Sequence, residues 1–378
     1  MKSWLRKIPY SILIPCLMIP FIGLAGINRA DQLYGASIQF ERQLVWLGIA
    51  WPVMLGITTI SYRPLKQLGP WLYLLSLFLL VIVLFMPPIN GSRRWIPLGL
   101  LDFQPSEPAR LTFILALANY LMYRGSQRTL SGLFIPFVIT LFPLMLILRE
   151  PDLGTGMLFL PILYAMLFAA GAKPKHLAIA ALVGVSLLPL LWGQLSAEQR
   201  SRVTTVFNQT DGGSAPQRDG YHLHQSKQVI SLGGLSGSVN HDQPIIDDAT
   251  AYHLPAARTD FVLSLICERY GLAGIMLLFG LYGLIVVKGL NVAQSTREPF
   301  GRLLAVGIVT MIATQALINA AMTVGLMPIT GITLPLASYG GSSLVSTCAS
   351  MGLLMSVAMS PGYEVAGLPA WEAETVKL

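Results

Sequence analysis

The sequence predicts an all-α integral membrane protein of about ten transmembrane helices with one long extracytoplasmic loop, and three observations carry that reading. Hydrophobic residues make up 54% of the 378 positions and charged ones 11%, less than half the charged share usual in a soluble domain. Mean hydropathy is +0.63. The apolar residues gather into runs of about 20, the length of helix that crosses roughly 30 Å of hydrocarbon. The 25 Lys and Arg residues, which give a net charge of +7, fall singly between those runs instead of clustering as a nucleic-acid surface requires. Cys16, Cys267 and Cys348 all lie inside apolar runs without metal-ligand spacing, so neither a disulfide framework nor a zinc site is supported and they read as small core residues.

The runs are read at 9–28, 43–61, 70–87, 106–124, 131–148, 153–171, 175–193, 262–288, 302–325 and 338–360. The first is too long for a signal peptide, and Asn28-Arg29-Ala30 makes a poor cleavage site, so it reads as an uncleaved anchor. Lys2, Arg6, Lys7, Arg63, Lys66, Arg124, Arg128, Lys173, Lys175, Lys288, Arg297 and Arg302 lie at one set of span ends, with Glu298 the one acid among them before the tail. By the positive-inside rule that side is cytoplasmic, and an even number of spans leaves both termini there. Asp31, Glu41, Asp102, Glu107, Glu150, Asp152 and Asp260 then fall on the outer side, which is where chemistry is expected.

Residues 1–378 read as a single polytopic membrane domain, with 361–378 as a short cytoplasmic tail. Between spans seven and eight, residues 196–258 form a polar, Gly-rich outer loop with a flexible patch at Thr210 to Pro216. No internal repeat shows, nor the paired interrupted helices of an inverted-repeat transporter.

An acid opening an apolar helix costs several kcal/mol unless paired or hydrated, so three places qualify as functional. In Gln104-Pro105-Ser106-Glu107-Pro108-Ala109-Arg110, Ser106 also reads as an N-cap and Glu107 with Arg110 as an i,i+3 pair. In Arg149-Glu150-Pro151-Asp152-Leu153-Gly154-Thr155, Asp152 also reads as the cap of the sixth span. In Arg258-Thr259-Asp260-Phe261, Thr259 or Asp260 can cap the eighth span, which carries Glu268 two turns on, or Asp260 can act as a general base. Arg42, Arg93, Arg94, Arg110, Arg149, Arg200, Arg202, Lys227 and Arg258 run against the topology rule on the outer side and either pair with the acids or meet a phosphate. Trp95 is an interfacial anchor or the wall of a groove. His222 and His224 lack a third ligand for a metal, and Gly233-Gly234-Leu235-Ser236-Gly237 is a turn before it is an anion nest. The stretch Leu326 to Ser343, rich in Pro and Gly, is non-helical backbone dipping into the bilayer, tolerated where it lines a cavity.

Read together, Arg94-Trp95-Ile96-Pro97-Leu98-Gly99, Phe103-Gln104-Pro105-Ser106-Glu107, Pro151-Asp152-Leu153-Gly154-Thr155, Gly220-Tyr221-His222 with Gln225-Ser226-Lys227, Thr259-Asp260-Phe261, and Leu334-Pro335 with Ser338 to Ser343 resemble the SEDS glycosyltransferases that include RodA and FtsW. The resemblance covers nearly the whole chain and leans toward the RodA, or elongation, type. It implies a peptidoglycan polymerase of the bacterial inner membrane whose substrate is lipid II, adding to a lipid-linked glycan strand beside a class B penicillin-binding protein and other elongation or division proteins. It implies Asp260 as the catalytic base, and Glu107, Arg110, Asp152, Arg94, Trp95, Lys227, Arg202, Gln104, Ser106, Thr259, Ser338 and Tyr339 as substrate-binding. A divalent cation, Mg or Mn, or the basic cluster would neutralise the leaving pyrophosphate; no residue is implied as a metal ligand and no organic cofactor is expected. The rival readings are a flippase for a lipid-linked precursor and a silent scaffold for the penicillin-binding partner. The second is motivated by Ala256, which stands where the resemblance leads one to expect glutamate. Arg110 in place of a lysine, and Asp242, Asp247 and Asp248 in the loop, are further departures.

Overall fold

The computed structural model describes residues 8–88, 92–97, 102–207, 209, 219–240, 253–360 and 362. The patch from Thr210 to Pro216, Asp242, Asp247, Asp248, Leu98 and Gly99, the basic Lys2, Arg6 and Lys7, and all of the 361–378 tail but Gly362 lie outside them. The helices are α1 (Tyr10–Tyr34), α2 (Gln39–Thr59), α3 (Leu65–Val83), α4 (Ser106–Leu121), α5 (Phe134–Arg149), α6 (Leu153–Ala169), α7 (Pro174–Ser186), α8 (Leu188–Gln194), α9 (Ala197–Phe207), α10 (Asp219–Gly233), α11 (Val262–Ser295), α12 (Pro299–Thr323) and α13 (Gly341–Met359). A two-residue antiparallel ladder, β1 (Ile96–Pro97) with β2 (Asp102–Phe103), pairs Ile96 with Phe103 and Pro97 with Asp102.

The ten apolar runs are ten helical passages, with α7 and α8 together making the seventh. Among the described residues, α1, α3, Ser131–Arg149 (which contains α5), α11, α12 and α13 are long and apolar enough to cross a membrane on length and composition alone. The other four are shorter or carry charge: α4 holds Glu107 and Arg110 in its first turns, and α2 holds Glu41. Prolines lie inside α1, α2, α3, α5 and α6, and two of the carbonyls they free are satisfied by a neighbouring helix: Lys66, opposite Pro70, accepts from Asn119 Nδ2 at 2.5 Å, and Ile139, opposite Pro143, accepts from the Tyr73 hydroxyl at 2.6 Å. The seventh passage is interrupted at Leu187, where Pro189 withholds an amide from the preceding turn.

The core sits where α1 lies against α11, α11 against α12, α12 against α6 and α4, and α13 against α2. Small residues set these distances. A Cβ on Gly23 would stand 2.0 Å from the Ala337 carbonyl oxygen, so α1 touches the backbone of the segment linking α12 to α13. That segment, residues 324–340, is non-helical yet largely buried, as expected of backbone inserted into protein rather than lipid. By contrast α7 buries Leu177 alone among its side chains.

Several expectations are corrected. Pro105, not Ser106, is the N-cap of α4, and the Ser106 hydroxyl is buried without a hydrogen bond. Neither Thr259 nor Asp260 caps α11; Phe261 takes that place and no side chain bonds there, while the amides of Thr259, Asp260 and Phe261 bond to the Ala256 carbonyl. The last helix begins at Gly341, after the buried turn closed by Ser338. Within residues 196–258, described in part, lie α9 and α10. Asp152 does cap α6, accepting from the Thr155 amide at 3.1 Å.

Candidate active site

Asp260 sits in a turn built on one carbonyl. The Ala256 oxygen accepts the amides of Thr259 (3.1 Å), Asp260 (3.0 Å) and Phe261 (3.3 Å), and the Thr259 hydroxyl at 3.2 Å. Ala256 reaches this arrangement at φ 54°, in the left-handed region, with its methyl exposed. What this position supplies to Asp260 is backbone. The Asp260 carbonyl accepts from Asn319 Nδ2 at 2.9 Å, and the same amide donates to the Ile332 carbonyl at 2.7 Å, joining α12, the Asp260 turn and the buried 324–340 segment. A Cβ on Gly331 would stand 3.5 Å from Asp260 Oδ2, so the carboxylate lies over a residue with no side chain. Desolvation pushes the Asp260 pKa up to about 6, against the Thr259 side-chain bond and the attraction of Arg94 and Arg202, with Asp152 adding to the rise.

Facing this turn, Asp152 spends both oxygens on Thr155, on its amide and on its hydroxyl at 2.9 Å. Arg94 closes over the same turn: Nη1 is 3.9 Å from Asp152 Oδ1, Nε donates to the Glu150 carbonyl at 3.2 Å, and Nη2 donates to the Pro151 carbonyl. A guanidinium at the end of α5 suits the negative pole of that helix. Beneath, Arg110 is paired with Glu107 and donates to Gln315 Oε1 at 2.7 Å; Gln315 donates to the Thr333 carbonyl at 2.9 Å, and Thr333 shares a bond with Ser343 at 3.1 Å. Arg110 lies within the field of Asp152, so the two buried layers communicate.

Residues 8–362 match the family model FTSW_RODA_SPOVE, described as cell cycle protein. The chain belongs to this family. It is 31% identical over 353 residues to the peptidoglycan glycosyltransferase MrdB of Escherichia coli K12, covering 92% of each chain. The fold is similar to a chain solved in work on the coordination of polymerization and crosslinking by a peptidoglycan synthase complex, at TM-score 0.78 and 32% identity, covering 93% of this chain and 97% of that one. It is also similar to the Thermus thermophilus rod shape determining protein RodA, at TM-score 0.69 and 29% identity, covering 94% and 98%.

In this FtsW, RodA and SpoVE family member, Asp260, Thr259, Asp152, Arg94 and Arg202 converge electrostatically, and Glu107 and Arg110 form the layer below. The Gln104 backbone N–H donates to Ser342 Oγ at 3.4 Å, and Trp95 is half-buried beside β1. Ser338 and Tyr339 serve the backbone: the Ser338 hydroxyl accepts from Leu334, and the Tyr339 amide donates to Arg258. Lys227 projects from α10 to Gln209 at 2.5 Å, and Gln209 binds the Gly325 carbonyl at 2.7 Å. Sequence reading missed Gln315, Asn319 and Gln43, the last of which donates to the Ser338 carbonyl at 3.1 Å. The available signal was two amides four residues apart in an apolar run, on one helix face.

Among the described residues no three His, Cys, Asp or Glu side chains are placed to share a metal ion.

Glu150 is fully buried, and neither of its carboxyl oxygens has a hydrogen-bond partner. Burial, then the Asp152 charge, push its pKa up to about 9 against the pull of Arg94, so at neutral pH it is a carboxylic acid. The folded state thus holds a proton that the unfolded chain releases above about 4.5, and stability contributed by this group falls as pH rises from about 4.5 to about 9. Glu150→Gln, neutral at every pH, is expected to unfold at a higher temperature than the parent at pH 8 and at nearly the same temperature at pH 5. Thermal scans at the two pH values check this.

Proposed function

We propose that this protein is a glycosyltransferase that polymerises lipid II into glycan strands on the outer face of the bacterial cytoplasmic membrane, for cell elongation and rod shape, with both termini in the cytoplasm and a class B penicillin-binding protein as partner. The glycosyltransferase name of the E. coli relative and the synthase complex among the structural neighbours support that reading. The observation that carries it is Asp260 itself. It is a half-buried carboxylate at the mouth of an apolar helix, with its pKa pushed up to about 6 and two arginines in its field.

A carboxylate of ordinary pKa is a weak base, and one raised toward 6 is a better base that is still mostly ionised at neutral pH. Asp260 takes the proton from the 4-hydroxyl of the acceptor GlcNAc as that oxygen attacks the anomeric carbon of the donor sugar. The bond from that carbon to the pyrophosphate oxygen breaks, and polyprenyl pyrophosphate departs. Arg94 and Arg202 meet the charge that accumulates on it. Thr259 and the Ala256 turn fix the carboxylate, and the Glu107, Arg110 and Gln315 layer fixes the backbone it faces.

The test is strand formation from labelled lipid II by the purified protein, alone and with the penicillin-binding partner, across pH. The rate is expected to climb through a midpoint near 6, because only the ionised form of Asp260 accepts a proton. Well-folded protein that makes no strands in the presence of partner, or a rate flat from pH 5 to 8, would overturn the assignment.

A further inference from the structure

The outer end of α1, which no motif singled out, grips the Asp260 segment from both flanks. Arg29 lies in the penultimate turn of α1, and its Nε and Nη2 donate to Glu268 Oε2 (2.7 Å) and Oε1 (2.6 Å), a bidentate pair with the Glu268 side chain fully buried. The same Nη2 reaches Ser238 Oγ at 3.3 Å. Two residues further on, Asp31 Oδ1 accepts from Arg258 Nε at 2.7 Å and from Ser37 at 2.9 Å, and Arg258 Nη2 donates to the Gly35 carbonyl at 2.8 Å. Arg258 precedes Asp260 by two residues and Glu268 follows it by eight, and the two pairs have opposite polarity.

Between them the segment is a unit of its own. Ala30 of α1 joins Val229, Leu254, Ala257, Phe261 and Leu265 in an apolar cluster separate from the main core. α11 is broken at Gly271 (φ 62°, ψ −159°), and into that break the chain after α10 inserts its backbone. A Cβ there would stand 2.5 Å from Gly237 N and Leu235 O, and the Leu272 amide donates to Gly234 O at 3.1 Å. The two turns of helix behind Asp260 are therefore uncoupled from the rest of α11 and coupled to α1.

We propose that Arg29 and Asp31 are positioning residues for the reaction. Through Glu268 and Arg258 they hold residues 258–270 in the register that aims Asp260, and neither touches the sugar or the pyrophosphate. This rests on the polymerase reading above. Displacing a reacting group by about 1 Å costs on the order of a hundredfold in rate without a matching loss of binding.

The experiment uses the full protein with its penicillin-binding partner in nanodiscs and compares Asp31→Asn, Arg29→Gln, Glu268→Gln, Arg258→Gln and the pair Asp31→Asn with Arg258→Gln. The expected result is a kcat at least tenfold lower with KM for lipid II within twofold, no further loss in the pair beyond the worse single variant, and faster amide hydrogen exchange at 258–270 with α12 unchanged. Asp31→Asn keeps the side-chain shape and leaves Arg258, partly exposed, with the Ala30 and Gly35 carbonyls, so it reports even where Arg29→Gln, which strands the fully buried Glu268, does not fold. Unchanged kcat, a rise in KM at constant kcat, additive losses, or exchange rising equally in α12 would each overturn the proposal. Exchange is read without turnover, so a wild type that makes no strands sinks the polymerase reading while the exchange pattern still decides whether α1 holds the segment.

Discussion

Replacing Asp260 with Asn is expected to lower strand formation by roughly a hundred- to ten-thousandfold, the range general bases contribute. The amide is nearly isosteric, and the anchors of the turn, the Ala256 carbonyl and the Asn319 amide, act on the main chain, so the fold should persist. The residual rate should also lose its climb through pH 6. Single-turnover rates of wild type and Asp260→Asn from pH 5 to 8, with unfolding temperatures alongside, check both parts. A variant that keeps the slope would move the base to another residue.

The second large effect is on stability. Arg110→Ala strands Glu107 as a buried carboxylate and removes the donor to Gln315, and breaking a buried pair from one side costs about 3–5 kcal/mol. The double replacement Glu107→Gln with Arg110→Met leaves no lone charge and is expected to recover most of that loss while strand formation stays low. Thermal unfolding and lipid II turnover of the three proteins separate the two contributions. Recovery of activity in the double variant would mean that the pair is structural alone.

The passages were legible because lipid leaves a simple signature, a run of apolar residues bounded by charge, and each of the ten runs holds a helical passage. Their ends were less legible. Ser106 has the chemistry of a cap, but its hydroxyl is turned into a buried site, and α9 and α10 lie in a polar stretch whose mean hydropathy says only that it is outside the lipid. The charged members of the site could be read from where acids and arginines stand. Gln43 could not, and Gln315 and Asn319 left only the trace of two amides on one face of an apolar helix; their partners are carbonyls of a non-helical segment whose path exists only after folding. The Arg29 to Glu268 contact spans 239 positions, beyond any pattern one sequence displays.

Asn319 holds the Asp260 and Ile332 carbonyls with one amide group. Seen from the ribosome, Asp260 is made after Arg94, Asp152 and Arg202 but before the groups that fix its main chain. The turn that carries it can insert with α11, but it has no defined aim until α12 and the chain through Gly331 and Ile332 have been synthesised, inserted and folded back. A nascent chain halted before Asn319 emerges holds Arg94, Asp152, Arg202 and Asp260 yet lacks the amide that fixes the Asp260 carbonyl, so the aim of this carboxylate is set late in synthesis.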